Sequence, residues 1–81
     1  MLIAQQIRAA RALIGWSQND LATAPNVGIA TVRRIELQDG FIHANANSIR
    51  KMETALKTSG VEFIEQDESS GPGVRLQQSF T

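Results

Sequence analysis

The segment "NVGIATVRRIE", residues 26 to 36, ends on two adjacent arginines, Arg33 and Arg34. If the segment is helical, residues 29 and 33 form one i, i+4 pair and residues 30 and 34 another. Ile29, Ala30, Arg33 and Arg34 then tile one outward surface. Val32 and Ile35 are three apart and, with Val27, point at the core. Arginine carries a planar fork of donors that can grip a phosphate, or the O6 and N7 atoms of guanine, with two bonds at once. The chemistry available here is recognition rather than bond making. The plain alternative is a solvated helix face.

Other chemistries find little support. No Ser-His-Asp set, Gly-rich phosphate loop or metal-ligand cluster is visible, and the remaining carboxylates are scattered. Cysteine is absent, which removes disulfides and thiolate metal sites. His43 is the single histidine, so it cannot supply a zinc cluster and reads as a loop residue. The expectation is a protein that is not an enzyme and needs no metal or cofactor.

A pair of arginines can work only if neighbouring elements aim it. The first segment is helical by period: Ile3, Ile7, Ala10 and Ile14 step by 4, 3 and 4, with Leu13 beside them. Gly15 stops it and Trp16 reads as a core anchor. Ser17 opens a second helix, with Asp20 three residues later completing a capping box. Leu21 and Ala22 face inward. Pro25 ends this helix, because a residue before proline avoids the α region. Asn26 tolerates positive φ, so a tight joint belongs there. The third helix runs from about Gly28, its N-cap, to Leu37. "QDGFIHANAN" is a connector from which Phe41 or Ile42 tucks into the core. The fourth helix covers about Ala46 to Ser59, with Ile49, Met52 and Leu56 inward and Gly60 as its stop. Arg50 and Lys51, near its start, could hold a phosphate together with the helix N-terminus, or simply be solvated. The period then changes. "VEFI" at 61–64 and "VRLQ" at 74–77 alternate around "EQDESSGPG", which predicts a short β-hairpin with a mobile loop. Two strands alone are marginal, so the hairpin must pack on the helices or pair with another chain.

A chain of 81 residues supports one small core. No window approaches the roughly 20 apolar residues of a membrane span, and the first residues lack the pattern of a signal peptide. A soluble, cytoplasmic protein with no membrane partner is expected. The net charge of zero conceals a division. Residues 1–57 carry seven basic and four acidic side chains, while residues 58–81 carry one basic and four acidic. Such a split suggests a basic working part, here residues 1–60, and an acidic appendage, the hairpin and tail of residues 61–81.

Two helices with a short joint, the second carrying an exposed basic face, describe a helix-turn-helix. In that motif the second helix lies in the major groove of double-stranded DNA with its N-terminal residues at base edges. The sequence also resembles the Xre/Cro/C1-type helix-turn-helix regulators, which include phage repressors. The match covers about 60% of the chain, from Ile7 to Leu56, and rests on "IRAARALIGWSQNDLA", "NVGIATVRRIE" and "SIRKMETAL". The resemblance implies a mainly α, lambda-repressor-like bundle that binds operator DNA as a homodimer. Here a four-helix bundle with a short C-terminal β-hairpin is expected, the hairpin replacing the last helix. By resemblance, Gln18 reaches a phosphate or an end base pair. Ile29, Ala30 and Arg34 fall at base-reading positions, Thr31 and Arg33 touch the backbone, and Gly28 opens the inserted helix. Arg11 and Glu36 match a partly buried salt bridge, which is structural. The joint departs from the family pattern at Pro25-Asn26 and the cap at Gly28. Ile29 stands where a polar residue is common, and could meet a thymine methyl.

The leading expectation is therefore a bacterial or phage transcriptional regulator, in the sense of a repressor. The alternative is an antitoxin or adaptor-like module whose C-terminal hairpin binds a protein partner. A toxin-like neighbouring gene or a co-purifying protein would favour the alternative.

Overall fold

The computed structural model describes residues 1–77, so the last four residues of the expected tail lie outside the described residues. Four helices are followed by two strands: α1 Ala4–Leu13, α2 Gln18–Thr23, α3 Ile29–Glu36, α4 Ala46–Thr58, β1 Val61–Ile64 and β2 Gly73–Leu76. About half of the chain is helical.

Each boundary has a local cause. Gly15, just past α1, has φ 71°, a conformation that costs glycine little. The Ser17 hydroxyl accepts from the Asp20 amide at 3.1 Å, and the Asp20 carboxylate accepts from the Ser17 amide at 2.9 Å. This reciprocal box satisfies donors that would otherwise be orphaned at the start of α2. The end of α2 differs from expectation. Ala24, which precedes Pro25, keeps α geometry with φ −58° and ψ −48°. Proline disfavours that conformation in its predecessor without forbidding it. The chain turns two residues later, at Asn26, whose φ is 58°. Asn45 caps α4 by accepting from the amides of Asn47 and Ser48, and Gly60 ends it with φ 104°.

The core gathers one stripe from each helix: Ile7 and Ala10, Leu21 and Ala22, Val32 and Ile35, Met52 and Leu56, joined by Val61 from the hairpin. Each large member contributes about 1.5–3 kcal/mol by leaving water. Ile42 packs against this cluster, whereas Phe41 is 57% exposed. Trp16 was expected inside. It lies half-buried at the edge of the cluster instead, since the short link it occupies runs over the surface. Leu13 is also largely exposed.

The hairpin is antiparallel, with Val61 opposite Leu76 and Phe63 opposite Val74. Those four share one face by the two-residue period of a strand, and Phe63 and Val74 pack on the helical core. On the other face Arg75 grips Glu62 with two bonds, Nε to Oε1 at 2.7 Å and Nη2 to Oε2 at 3.2 Å. The second strand begins at Gly73, one residue earlier than its alternation suggests, because Gly73 pairs with Ile64.

Gln6 locks the hairpin in place. Its side-chain amide donates to the carbonyls of Ile64 at 3.2 Å and Gly73 at 3.0 Å, and its oxygen accepts from the Ile3 amide at 2.9 Å. The residue is 4% exposed, so these bonds replace the water it has lost. Residues 61–77 thus close the same core as the helices rather than forming an appendage.

Candidate nucleic-acid interface

Five residues, 24–28, join α2 to α3. The joint is fixed by its own backbone: the Asn26 amide donates to the Thr23 carbonyl at 3.1 Å and the Val27 amide to the Ala22 carbonyl at 2.8 Å. With Leu21, Val32 and Ile35 all fully buried, the orientation of α3 against α2 is set by packing.

A polar network fixes the other end of α3. Glu36 is buried, its side chain only 3% exposed. Arg11 from α1 holds it bidentately, Nε to Oε2 at 2.9 Å and Nη2 to Oε1 at 3.0 Å. The third Arg11 nitrogen donates to the Trp16 carbonyl at 2.9 Å. Gln18 Nε2 adds a bond to Glu36 Oε1 at 3.0 Å. Helices α1, α2 and α3 therefore meet at one carboxylate. Arg8 completes the arrangement by donating from Nη1 to the carbonyls of Glu36 and Gln38 and from Nη2 to Asp39. A cation at a helix C-terminus satisfies orphaned carbonyls and complements the helix dipole. Gln38 then clamps the connector, accepting from the His43 amide at 2.7 Å and donating to its carbonyl at 3.1 Å.

The residues singled out in the sequence fall into two groups. Gly28, Ala30, Arg33 and Arg34 are exposed along one side of α3. Ile29 and Thr31 are half-buried, and Ile29 packs against the core, so it belongs only partly to the open face. Gln18 stands apart: it is half-buried and its amide is turned inward to Glu36 rather than outward. Gly28 caps α3 without a side-chain bond. A Cβ added there would meet only the Thr31 hydroxyl at 3.9 Å, so the structure does not demand glycine. Its effect is to leave the first amides of α3 without a side-chain acceptor.

The charges sort more sharply than the sequence suggests. Arg8, Arg11, Lys57 and Arg75 each lie within 4.0 Å of a carboxylate. Arg33, Arg34, Arg50 and Lys51 have no such partner among the described residues. All four unmatched cations are on α3 and the first half of α4. Arg50 and Lys51 do not sit at the N-terminus of α4. They are one turn inside it, and two of its first amides are taken by Asn45. α4 starts at Ala46, where the sequence places it.

Sequence reading missed Gln6 and Arg8. Both lie off the apolar stripe of α1. The bonds that define them span 28 to 67 residues, and no local pattern announces such partners. His43 is exposed, and no group of three or more potential metal ligands occurs among the described residues. No described helix is long and apolar enough to cross a membrane. No known family model matches the chain, and no curated protein matches it.

Proposed function

We propose that this chain is a helix-turn-helix protein of the lambda-repressor-like class that binds double-stranded DNA, with α3 in the major groove, and acts as a cytoplasmic repressor. The carrying observation is that Arg33 and Arg34, exposed on α3, have no carboxylate partner among the described residues. Exposed cations left unmatched are an electrostatic footprint for phosphate. Support also comes from the open N-terminus of α3 and from the rigid mounting of its far end on Glu36.

An eight-residue helix is about 12 Å long, enough to pass three or four base pairs. In this reading Arg34, with Ala30 and the exposed part of Ile29, meets base edges. Arg33, Thr31 and the amides that follow Gly28 hold phosphates. Gln18 serves the interface indirectly, since its amide helps hold Glu36. One module buries limited surface, so two copies on paired half-sites form the expected binding unit.

The test is a fluorescence-anisotropy titration with DNA from upstream of the protein's own gene and with scrambled DNA, at two salt concentrations. Preference for the upstream fragment is expected, with a log–log salt slope of about −0.9 per phosphate neutralised. An upstream fragment bound no better than scrambled DNA calls for a genome-wide selection of sites. Absence of binding to any sequence at low salt defeats the reading and leaves a partner-binding module.

A further inference from the structure

A groove of about 500 Å³ runs along α4 and is lined by no residue of α3. Trp16 and Pro25 form one wall, and Arg50, Lys51, Thr54 and Thr58 line the other. The last four are spaced as one stripe over two turns, a length of about 12 Å. The floor is mostly apolar and one end is doubly positive. Arg50 and Lys51 meet no carboxylate within the described residues, so the groove is electrostatically incomplete.

The same chain carries the complement. The hairpin loop between β1 and β2 holds Glu65, Asp67 and Glu68, all exposed. Its tip is shaped: Asp67 Oδ1 accepts from the amides of Ser69 at 2.8 Å and Ser70 at 2.7 Å. Those donors keep the Asp67 carboxyl below its ordinary range, so it stays charged at neutral pH. The loop cannot fill the groove of its own molecule. Gln66 and Pro72 lie beside Ile3 and Phe41, at the N-terminal end of α1. The groove starts at Trp16, beyond the C-terminal end of the same helix, about 15 Å away along its axis.

We propose that the Trp16–α4 groove receives the acidic hairpin loop of a second copy of this chain. Glu68 of that copy, and Glu65 on exchanging its exposed 3.4 Å contact with the Met1 ammonium, meet Arg50 and Lys51, and the loop backbone passes over Trp16 and Pro25. The two surfaces differ, so the contact either closes reciprocally on a two-fold axis or repeats head to tail. It is separate from the pairing that two half-sites require, and it does not depend on DNA binding. Its area is small, so the association is weak, with a dissociation constant on the order of 10⁻⁴ M.

The experiment is sedimentation equilibrium of the full chain without DNA, over a concentration series at about 0.02 M and 0.5 M salt. Emission from Trp16, the only tryptophan, reads the groove itself. Two charge reversals are compared. One is Arg50→Glu with Lys51→Glu. The other is Glu65→Lys with Glu68→Lys, which leaves the Asp67 turn intact. Far-UV circular dichroism checks that both remain folded. Wild-type protein should associate reversibly at low salt with a blue shift of Trp16. Each reversal should weaken association about tenfold or more, and an equimolar mixture of the two should regain it. A wild-type chain that stays monomeric overturns the proposal. So does a groove variant that associates as well as wild type, or a mixture that regains nothing. Loss of DNA affinity in the groove variant without any change in self-association assigns Arg50 and Lys51 to phosphate and overturns it equally.

Discussion

Arg11 and Arg75 each hold one carboxylate with the same two-pronged grip. On the helical side, Arg11 holds Glu36 out of water, the carboxylate side chain being 3% exposed. On the hairpin, Arg75 holds Glu62 in solvent, with the side chains 65% and 44% exposed. The bond lengths barely distinguish them, yet water screens the second pair and not the first. Geometry alone is therefore a poor guide to what an ion pair contributes. Arg33 and Arg34 complete the series, since they are exposed and have no carboxylate within 4.0 Å among the described residues. An exposed arginine with an acidic neighbour is accounted for by the fold, whereas one without is available to a ligand.

The sharpest break of this comparison is at the buried pair. Arg11→Ala strands the Glu36 charge and should cost about 3–5 kcal/mol in urea unfolding. Glu36→Gln should cost less, because the amide oxygen still accepts from Arg11 and the charge left unpaired is that of Arg11, whose side chain is 25% exposed against 3% for Glu36. Equal losses for the two would show that burial of the carboxylate does not set the penalty.

Gln6→Ala comes next. It leaves the carbonyls of Ile64 and Gly73 without their donor, at about 1–3 kcal/mol. Amide hydrogen exchange should rise selectively in residues 61–77, and uniform acceleration over all elements would refute the role of Gln6 as the hairpin's lock.

Arg34→Ala tests the unmatched class. Stability should stay within about 0.5 kcal/mol, as for a surface change, while affinity for a selected DNA site should fall by about 1–3 kcal/mol. Arg75→Ala is the control from the matched class. It should leave DNA affinity unchanged and only loosen the hairpin, seen as faster exchange at Glu62. If Arg34→Ala and Arg75→Ala weaken DNA binding alike, the reading face has been misassigned.

The smallest effect is one of pH. Glu62 is lowered by its bonds with Arg75, and Asp67 by the Ser69 and Ser70 amides. Both folded values lie below the ordinary ones of 4.5 and 3.8. Their contribution is complete above those values and is lost as pH falls through the lowered ones. The amide shifts of Ser69 and Ser70 should therefore titrate with a midpoint below 3.8. A midpoint at or above that value would mean the turn does not hold in solution.

The parts legible in the sequence are those whose causes are local. Ser17 with Asp20, Gly15, Asn26 and Gly60 each declare a cap or turn within four residues, and each is found in place. The apolar periods of α1, α3 and α4 likewise fix which faces are buried. Trp16 misled because size and aromaticity mark a residue for burial only where a packed element carries it, and the four-residue link of 14–17 does not. Gln18 misled because its partner, Glu36, is eighteen positions away and already bound to Arg11. For the candidate site, the open side of α3 was legible from its period. Among the charges, Arg11 with Glu36 was legible from the resemblance and Lys57 with Glu53 lies at i, i+4 spacing, whereas the partners of Arg8 and Arg75 depend on contacts between elements.

Gln6 also bears on the order in which the chain acquires its structure. Its amide bonds to carbonyls 58 and 67 residues further on. Burying α1 before those partners arrive would leave a desolvated amide unsatisfied, so the early helical assembly is held short of completion. Docking of the hairpin supplies the partners and adds Val61 to the core in the same step. Contacts this distant in sequence slow folding relative to a purely local helical bundle, because a long loop must close before it is rewarded. During synthesis, α1 emerges before α2, α3 and α4, yet it is sealed last.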